Sequence, residues 1–229
     1  MSYGNSFQRT SPVVLNLIII NAIVYLAQAL LGGPGDINSA IDHFALHHIK
    51  SDYFQPYQVV THMFMHGSFF HLLFNMLALW MFGSVVEKVW GPKRFLAFYM
   101  ICGIAAAITQ LASYMYDYRL FDQVKMSMAD AEQYQLMLRM SATVGASGAI
   151  MGVLAAFGYL FPNTTLFIMP IPFPIKAKWA ILGIIALDVF GGVVKTQGDN
   201  IAHFAHVGGA LTGFLIVYFQ NKTNKKTFY

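Results

Sequence analysis

Residues 142–161 read ATVGASGAIMGVLAAFGYLF, twenty residues without an Asp, Glu, Lys or Arg. A helix rises 1.5 Å per residue, so about 20 mostly apolar residues cross the roughly 30 Å hydrocarbon core of a bilayer. Runs at 12–31, 69–86, 95–116, 179–194 (interrupted by Asp188) and 201–219 have a similar character. Six spans are therefore expected, about 12–31, 69–86, 95–116, 142–161, 179–194 and 201–219, in one domain over residues 1–229. There is no internal repeat or low-complexity tract. The expected fold class is all-α, a polytopic membrane bundle.

Composition agrees with that reading. The chain is 57% hydrophobic and 10% charged, against about 25% charged in an ordinary globular domain. So few charges cannot cover a soluble surface of this size, which excludes a soluble enzyme. The net charge of +4 does not point to nucleic acid, because the basic residues fall between apolar runs rather than on one face. Only Arg9 precedes the first run, so that run reads as a retained span rather than a cleaved signal. Cys102, the single cysteine, permits no internal disulfide and reads as a small apolar side chain.

Topology follows from charge. With both termini on one side, that side holds nine of the fourteen basic residues, and the other side holds eight of the ten acids. The positive-inside rule then assigns both termini to the cytoplasm. The 32–58 and 117–141 segments face outward; the second is either an interfacial helix or a polar loop. His43, His47 and His48 are expected at the surface or interface.

Strongly polar groups at membrane depth cost several kcal/mol unless paired, so each is a functional candidate. They cluster here. His62, His66, His71 and Asn75 run along THMFMHGSFFHLLFN into the second span, and the four-residue spacing of His71 and Asn75 puts them on one helical face. Gly145-Ala146-Ser147-Gly148 opens the fourth span and His203-Phe204-Ala205-His206 opens the sixth. Gly148 and Gly152 form a GxxxG on the fourth span, and Gly209 and Gly213 form another on the sixth. Such small residues let two backbones approach closely, so the two helices are expected to touch and to bring Ser147 within reach of His206.

A serine hydroxyl becomes nucleophilic when a neighbouring base takes its proton, and neutral imidazole has suitable basicity near pH 7. His71, Asn75 and the Ser147 amide can supply donors to a developing oxyanion; interhelical hydrogen bonding is an equally good reading of the two side chains. Asp188 is the one acid inside a span. It is expected to cap, or pair near the outer end of, its own helix, leaving a Ser-His dyad rather than a triad. Metal is the competing chemistry, with His62/His66 and His203/His206 at ligand-like separations. The pattern lacks HExxH, a cysteine pair and a nearby glutamate, so no metal and no cofactor are expected.

Taken together these residues resemble the rhomboid intramembrane serine proteases, of the bacterial six-helix type. The resemblance covers about Thr61 to Phe214. His62, His66, His71 and Asn75 have the spacing of that family's second-helix signature. Val86-Glu87-Lys88 with Gly91 is similar to its cytoplasmic turn, Gly145-Ala146-Ser147-Gly148 to its nucleophile motif, and Ala205-His206-Val207-Gly208-Gly209 with Gly213 to its catalytic-histidine helix. The resemblance implies Ser147 as nucleophile, His206 as general base, and His71 and Asn75 at the oxyanion site. Gly145, Gly148, Gly152, Gly209 and Gly213 are the helix-packing residues. Two departures stand out: Met151 lies where many members carry an aromatic ring, and no Trp-Arg pair occurs between Gly32 and Pro56.

The implied function is a serine endopeptidase cutting single-span membrane proteins in or near their spans, with substrates entering past the fifth span and the 189–200 loop. Its implied setting is a bacterial inner (plasma) membrane, with transmembrane protein substrates and lipid as partners and no nucleic acid. Three rivals remain from the residues alone. One is an inactive rhomboid-like protein that binds membrane clients, another a histidine-lined transporter or metal carrier, and the third a membrane esterase using the same dyad.

Overall fold

The computed structural model describes residues 11–32, 42–122, 141–167, 173–194 and 202–223. Helices occur at all six expected places. They are α1 (Pro12–Leu30), α2 (Phe69–Trp90), α3 (Pro92–Asp122), α4 (Ser147–Leu160), α5 (Ala177–Val194) and α6 (His203–Thr223). Within α1, α2, α3 and α5 lie stretches long and apolar enough to cross a membrane, and α4 is a shorter apolar helix. The chain is an all-α, multi-pass integral membrane protein. Its outer surface fits that solvent: on α5, Leu187, Phe190 and Val193 are 70%, 66% and 72% exposed, an apolar face that water would not tolerate at this size.

The N-terminus of α1 explains how the first two spans are joined. Pro12 occupies the first helical position, where its missing N–H costs nothing. The next two amides, of Val13 and Val14, donate to Glu87 Oε1 and Oε2 at 3.0 and 2.9 Å. A carboxylate suits a helix N-terminus, where free N–H groups and the helix dipole both favour negative charge. Glu87 is 1% exposed, so this contact holds the start of α1 against the end of α2. Gly91, at φ +79, then ends α2 with its N–H on the Glu87 carbonyl at 2.7 Å, and Pro92 opens α3.

Several helix ends lie a few residues from expectation, α2 reaching Trp90 and α6 Thr223, and two boundaries differ most. α3 continues to Asp122 instead of ending at Tyr116, so the start of the 117–141 segment is helical; the choice between interfacial helix and loop for the remainder, 123–140, lies outside the described residues. α4 starts at Ser147 rather than Ala142. The first residues of the apolar run instead form a strand, β2 (Ala142–Thr143), antiparallel to β1 (Leu46–His47), with Leu46 opposite Thr143 and His47 opposite Ala142. A second short pair, β3 (Thr165–Leu166) with β4 (Ile175–Lys176), precedes α5.

The β1–β2 pair ties the outer segment to the bundle and corrects the reading of its histidines. His47 and His48 are buried, at 0% and 1% exposed, while His43 is exposed. His48 donates through Nε2 to the Tyr114 carbonyl at 3.2 Å and accepts the Lys50 amide at Nδ1. Gln58, fully buried, donates to the carbonyls of His43 and Tyr53 and accepts the His47 amide. One amide side chain thus satisfies backbone groups that a segment with few regular elements would otherwise leave unpaired.

At the centre, α4 packs against α3, α5 and α6, and residues Gly148 to Gly158 are all buried. The α4–α6 contact is the close one expected from the glycines. A Cβ on Gly209 would overlap the Gly148 carbonyl, and one on Gly213 would overlap the Gly152 backbone. Asn221 near the end of α6 donates to the Tyr159 hydroxyl near the end of α4 at 3.1 Å, so these helices run parallel and begin at the same end of the bundle.

Candidate active site

Ser147 is the first residue of α4, and its position follows from Gly145. The Gly145 amide donates to the His62 carbonyl at 2.9 Å and its φ is +124, a conformation L side chains rarely adopt. The turn delivers Ser147 to the helix start, where no earlier helical carbonyl reaches its amide. A Cβ on Gly145 would stand 2.8 Å from both Cε1 and Nε2 of His71, and 3.5 Å from Ser147 Oγ. Gly145 therefore serves the seat of His71 beside the serine, not the helix contact expected of it; Gly148, Gly152, Gly209 and Gly213 carry that contact.

His206, on the first turn of α6, meets the serine directly. Its Nε2 lies 2.8 Å from Ser147 Oγ, and its Nδ1 lies 2.9 Å from Asp188 Oδ1 on α5. A carboxylate accepts, so Nδ1 carries the proton and Nε2 is left to accept the serine O–H. His203, one turn earlier, donates its own Nδ1–H to the same oxygen at 2.8 Å. Asp188 is 8% exposed. It pairs near the outer end of its own helix, one of the two expectations, rather than capping it. What is corrected is the expectation that no acid stands behind His206, because α5 runs antiparallel to α6 and turns Asp188 toward that imidazole. Its signal in the sequence was Asp188 followed one turn later by Gly191-Gly192, an acid beside a surface that another helix can approach.

His71 and Asn75 lie on the first turns of α2, which Ser68 caps by accepting the His71 amide at 3.1 Å. Asn75 is 8% exposed, and its Nδ2 has no hydrogen-bond partner among the described residues. A buried amide donor left open costs about 1–3 kcal/mol and suits a site that receives charge from elsewhere. His66 packs edge-on against His71, ring centroids 5.1 Å apart. His62, through Nδ1, donates to the Gln58 carbonyl at 2.9 Å. Burial pushes both His62 and His66 down to about 4, so both are neutral at pH 7. Gln28 of α1 braces this segment from behind, donating to the His66 carbonyl and accepting its amide; the sequence reading passed over it, although an amide inside an apolar run is itself a signal. Met151 is buried in the core one turn past Ser147.

His62/His66 and His203/His206 do not come together as ligand sets. His203, His206 and Asp188 meet through N–H donors that share one oxygen. Among the described residues no group of three or more His, Cys, Asp and Glu is arranged to hold a metal ion.

Comparison with known proteins gives this arrangement its family. Residues 53–222 match the family described as Rhomboid domain. The chain belongs to the rhomboid family. Among its rhomboid relatives, Rhomboid protease AarA of Providencia stuartii is 29% identical over 215 residues, covering 89% of this chain and 70% of that protein. The human Presenilin-associated rhomboid-like protein, mitochondrial, is 31% identical over 221 residues, covering 96% and 51%. Rhomboid protein 1, mitochondrial, of Saccharomyces cerevisiae is 30% identical over 171 residues, covering 73% and 43%. The chain spans about half the length of these mitochondrial relatives.

Proposed function

We propose that this rhomboid is an intramembrane serine endopeptidase that cuts single-span membrane proteins in or near their spans. The observation that carries the reading is the 2.8 Å contact between Ser147 Oγ and His206 Nε2, with the imidazole nitrogen facing the hydroxyl free to accept its proton. A relative named as a protease supports it. In the first step Ser147 Oγ bonds to the scissile carbonyl carbon while its proton passes to His206 Nε2 and the carbonyl electrons move onto oxygen. His71, Asn75 Nδ2 and the Ser147 amide donate to that oxyanion. The C–N bond then breaks, the leaving amine takes the proton from His206, and water repeats the sequence on the acyl-enzyme.

Depth favours a substrate within the membrane. α4 has 14 residues, about 21 Å at 1.5 Å per residue, against roughly 30 Å of hydrocarbon. A helix that short leaves at least one end inside the hydrocarbon. We place the Ser147 end there, because polar chemistry at membrane depth must be served by water and Ser147, His206, Asp188 and Asn75 cluster at that end. We favour an orientation with both termini cytoplasmic, on the charge asymmetry of the connecting segments, and a bacterial inner membrane as the native setting, on the likeness to Rhomboid protease AarA of Providencia stuartii.

The test is cleavage of a tagged single-span reporter by the purified protein in lipid. Wild type is expected to cut within or near the span, while Ser147→Ala and His206→Ala fold normally and do not cut. Undiminished cleavage by Ser147→Ala would falsify the nucleophile assignment. A wild type that neither cuts nor takes a fluorophosphonate on Ser147 would instead favour a client-binding protein.

A further inference from the structure

Asp188 and His203 play no part in the steps above, yet both are connected to the base. Asp188 is a buried carboxylate, a group that is expensive to hold unless well hydrogen-bonded. Its Oδ1 receives two Nδ1–H groups, from His203 at 2.8 Å and His206 at 2.9 Å. The two histidines stand three apart on α6, so both rings leave the same face and reach one oxygen. Gly191, three residues beyond Asp188, makes this possible: a Cβ there would come within 2.5 Å of Cε1 and Nε2 of His203.

We propose that Asp188 is the positioning residue of the His206 imidazole and that His203 holds Asp188 in the orientation this requires. The inference rests on the endopeptidase reading above and adds to it a third member supplied by α5. Nδ1 of His206 keeps its proton on Asp188, so the lone pair at Nε2 must face Ser147. When Nε2 takes the serine proton, the imidazolium that forms already faces a carboxylate, and the charge pair lowers the barrier without Asp188 itself becoming protonated. The His203 N–H on the same oxygen fixes which edge of the carboxylate His206 meets. A purely structural role, in which two histidines merely satisfy a buried acid, makes a different prediction. Loss of the acid would then reduce the folded fraction without changing which His206 nitrogen is protonated.

Full-length protein with ¹⁵N-labelled histidine, in lipid, separates the two. The His206 signals are identified by their loss in His206→Gln. Wild type is expected to carry the proton on Nδ1 with Nε2 bare. In Asp188→Ala no acceptor faces Nδ1, so the proton is no longer held there and moves to Nε2, and kcat on the reporter should fall at least 100-fold with KM within twofold. Asp188→Glu should recover part of that loss, and His203→Phe should fall between wild type and Asp188→Ala. The proposal is overturned if Asp188→Ala keeps the Nδ1 proton as wild type does, or keeps more than a third of the wild-type kcat. Should Asp188→Ala fail to fold, wild type still decides, since a proton on Nε2 of His206 there overturns it. Active wild type with an unaffected Asp188→Ala sinks this inference alone. Inert wild type with the expected spectra sinks the endopeptidase reading and leaves the arrangement standing.

Discussion

At the scale of single residues, Gly145 and Asn75 carry the sharpest consequences. Gly145 combines a φ of +124 with the imidazole of His71 lying where a Cβ would go. Gly145→Ala must therefore strain the turn and displace His71 together, and kcat on a reporter should drop about 100-fold or more, the scale of one lost oxyanion donor. Retention of half the activity would show that His71 does not need this seat. Asn75 holds an open donor in a buried setting. Asn75→Ala removes a donor that has no partner among the described residues, so the melting temperature should hold or rise while kcat falls about 100-fold. A fall in stability with unchanged kcat would assign Asn75 to helix-helix packing instead.

At the scale of elements, the bundle relies on contacts between helix ends and side chains from elsewhere in the chain. Glu87→Ala leaves the buried Val14 amide and the half-buried Val13 amide at the start of α1 without the carboxylate, which should cost about 1–3 kcal/mol. Thermal unfolding in detergent would show this as a lower melting temperature, with kcat unchanged well below the transition, because Glu87 and the start of α1 lie at the end of the bundle away from Ser147. The segment between α1 and α2 adds a pH dependence. Burial holds His62 and His66 near 4 when folded against an ordinary 6.5. Between those values the unfolded chain binds more protons than the folded one, so stability falls as pH is lowered from 6.5 toward 4. His66→Gln should flatten that fall; an unchanged slope would mean that other groups set it.

At the scale of the whole molecule, direction organises function. α2, α4 and α6 begin at one end, where His71, Ser147 and His206 stand, and the antiparallel α5 brings Asp188 to that end near its own C-terminus. Glu87, toward the end of α2, holds the start of α1, and Asn221 meets Tyr159 where α6 and α4 finish. The start of α1 and the end of α6 thus lie at the opposite end from the site. Single cysteines replacing the exposed Ile49 and Lys222 should react with an impermeant maleimide from opposite faces of a sealed vesicle, over a low background because Cys102 is buried. Labelling of both from one face would contradict the six-span arrangement.

Periodicity, charge scarcity and glycine spacing are properties of the chain itself, and they determined the six helices, the α4–α6 contact and the meeting of Ser147 with His206. A run of twenty uncharged residues must find a lipid or protein solvent wherever it goes, and two GxxxG faces pack closely wherever they meet. Other features depended on neighbours distant in sequence. The start of α4 at Ser147 required the pairing of β2 with β1 and the turn at Gly145, because an apolar run does not announce where its helix begins. The burial of His47, His48 and Gln58 required the outer segment to fold back on itself and on the bundle. The link from Asp188 to two imidazoles required α5 to lie antiparallel against α6. Side-chain chemistry states what a carboxylate can bind; only the packing of helices decides which donors come within 3 Å of it.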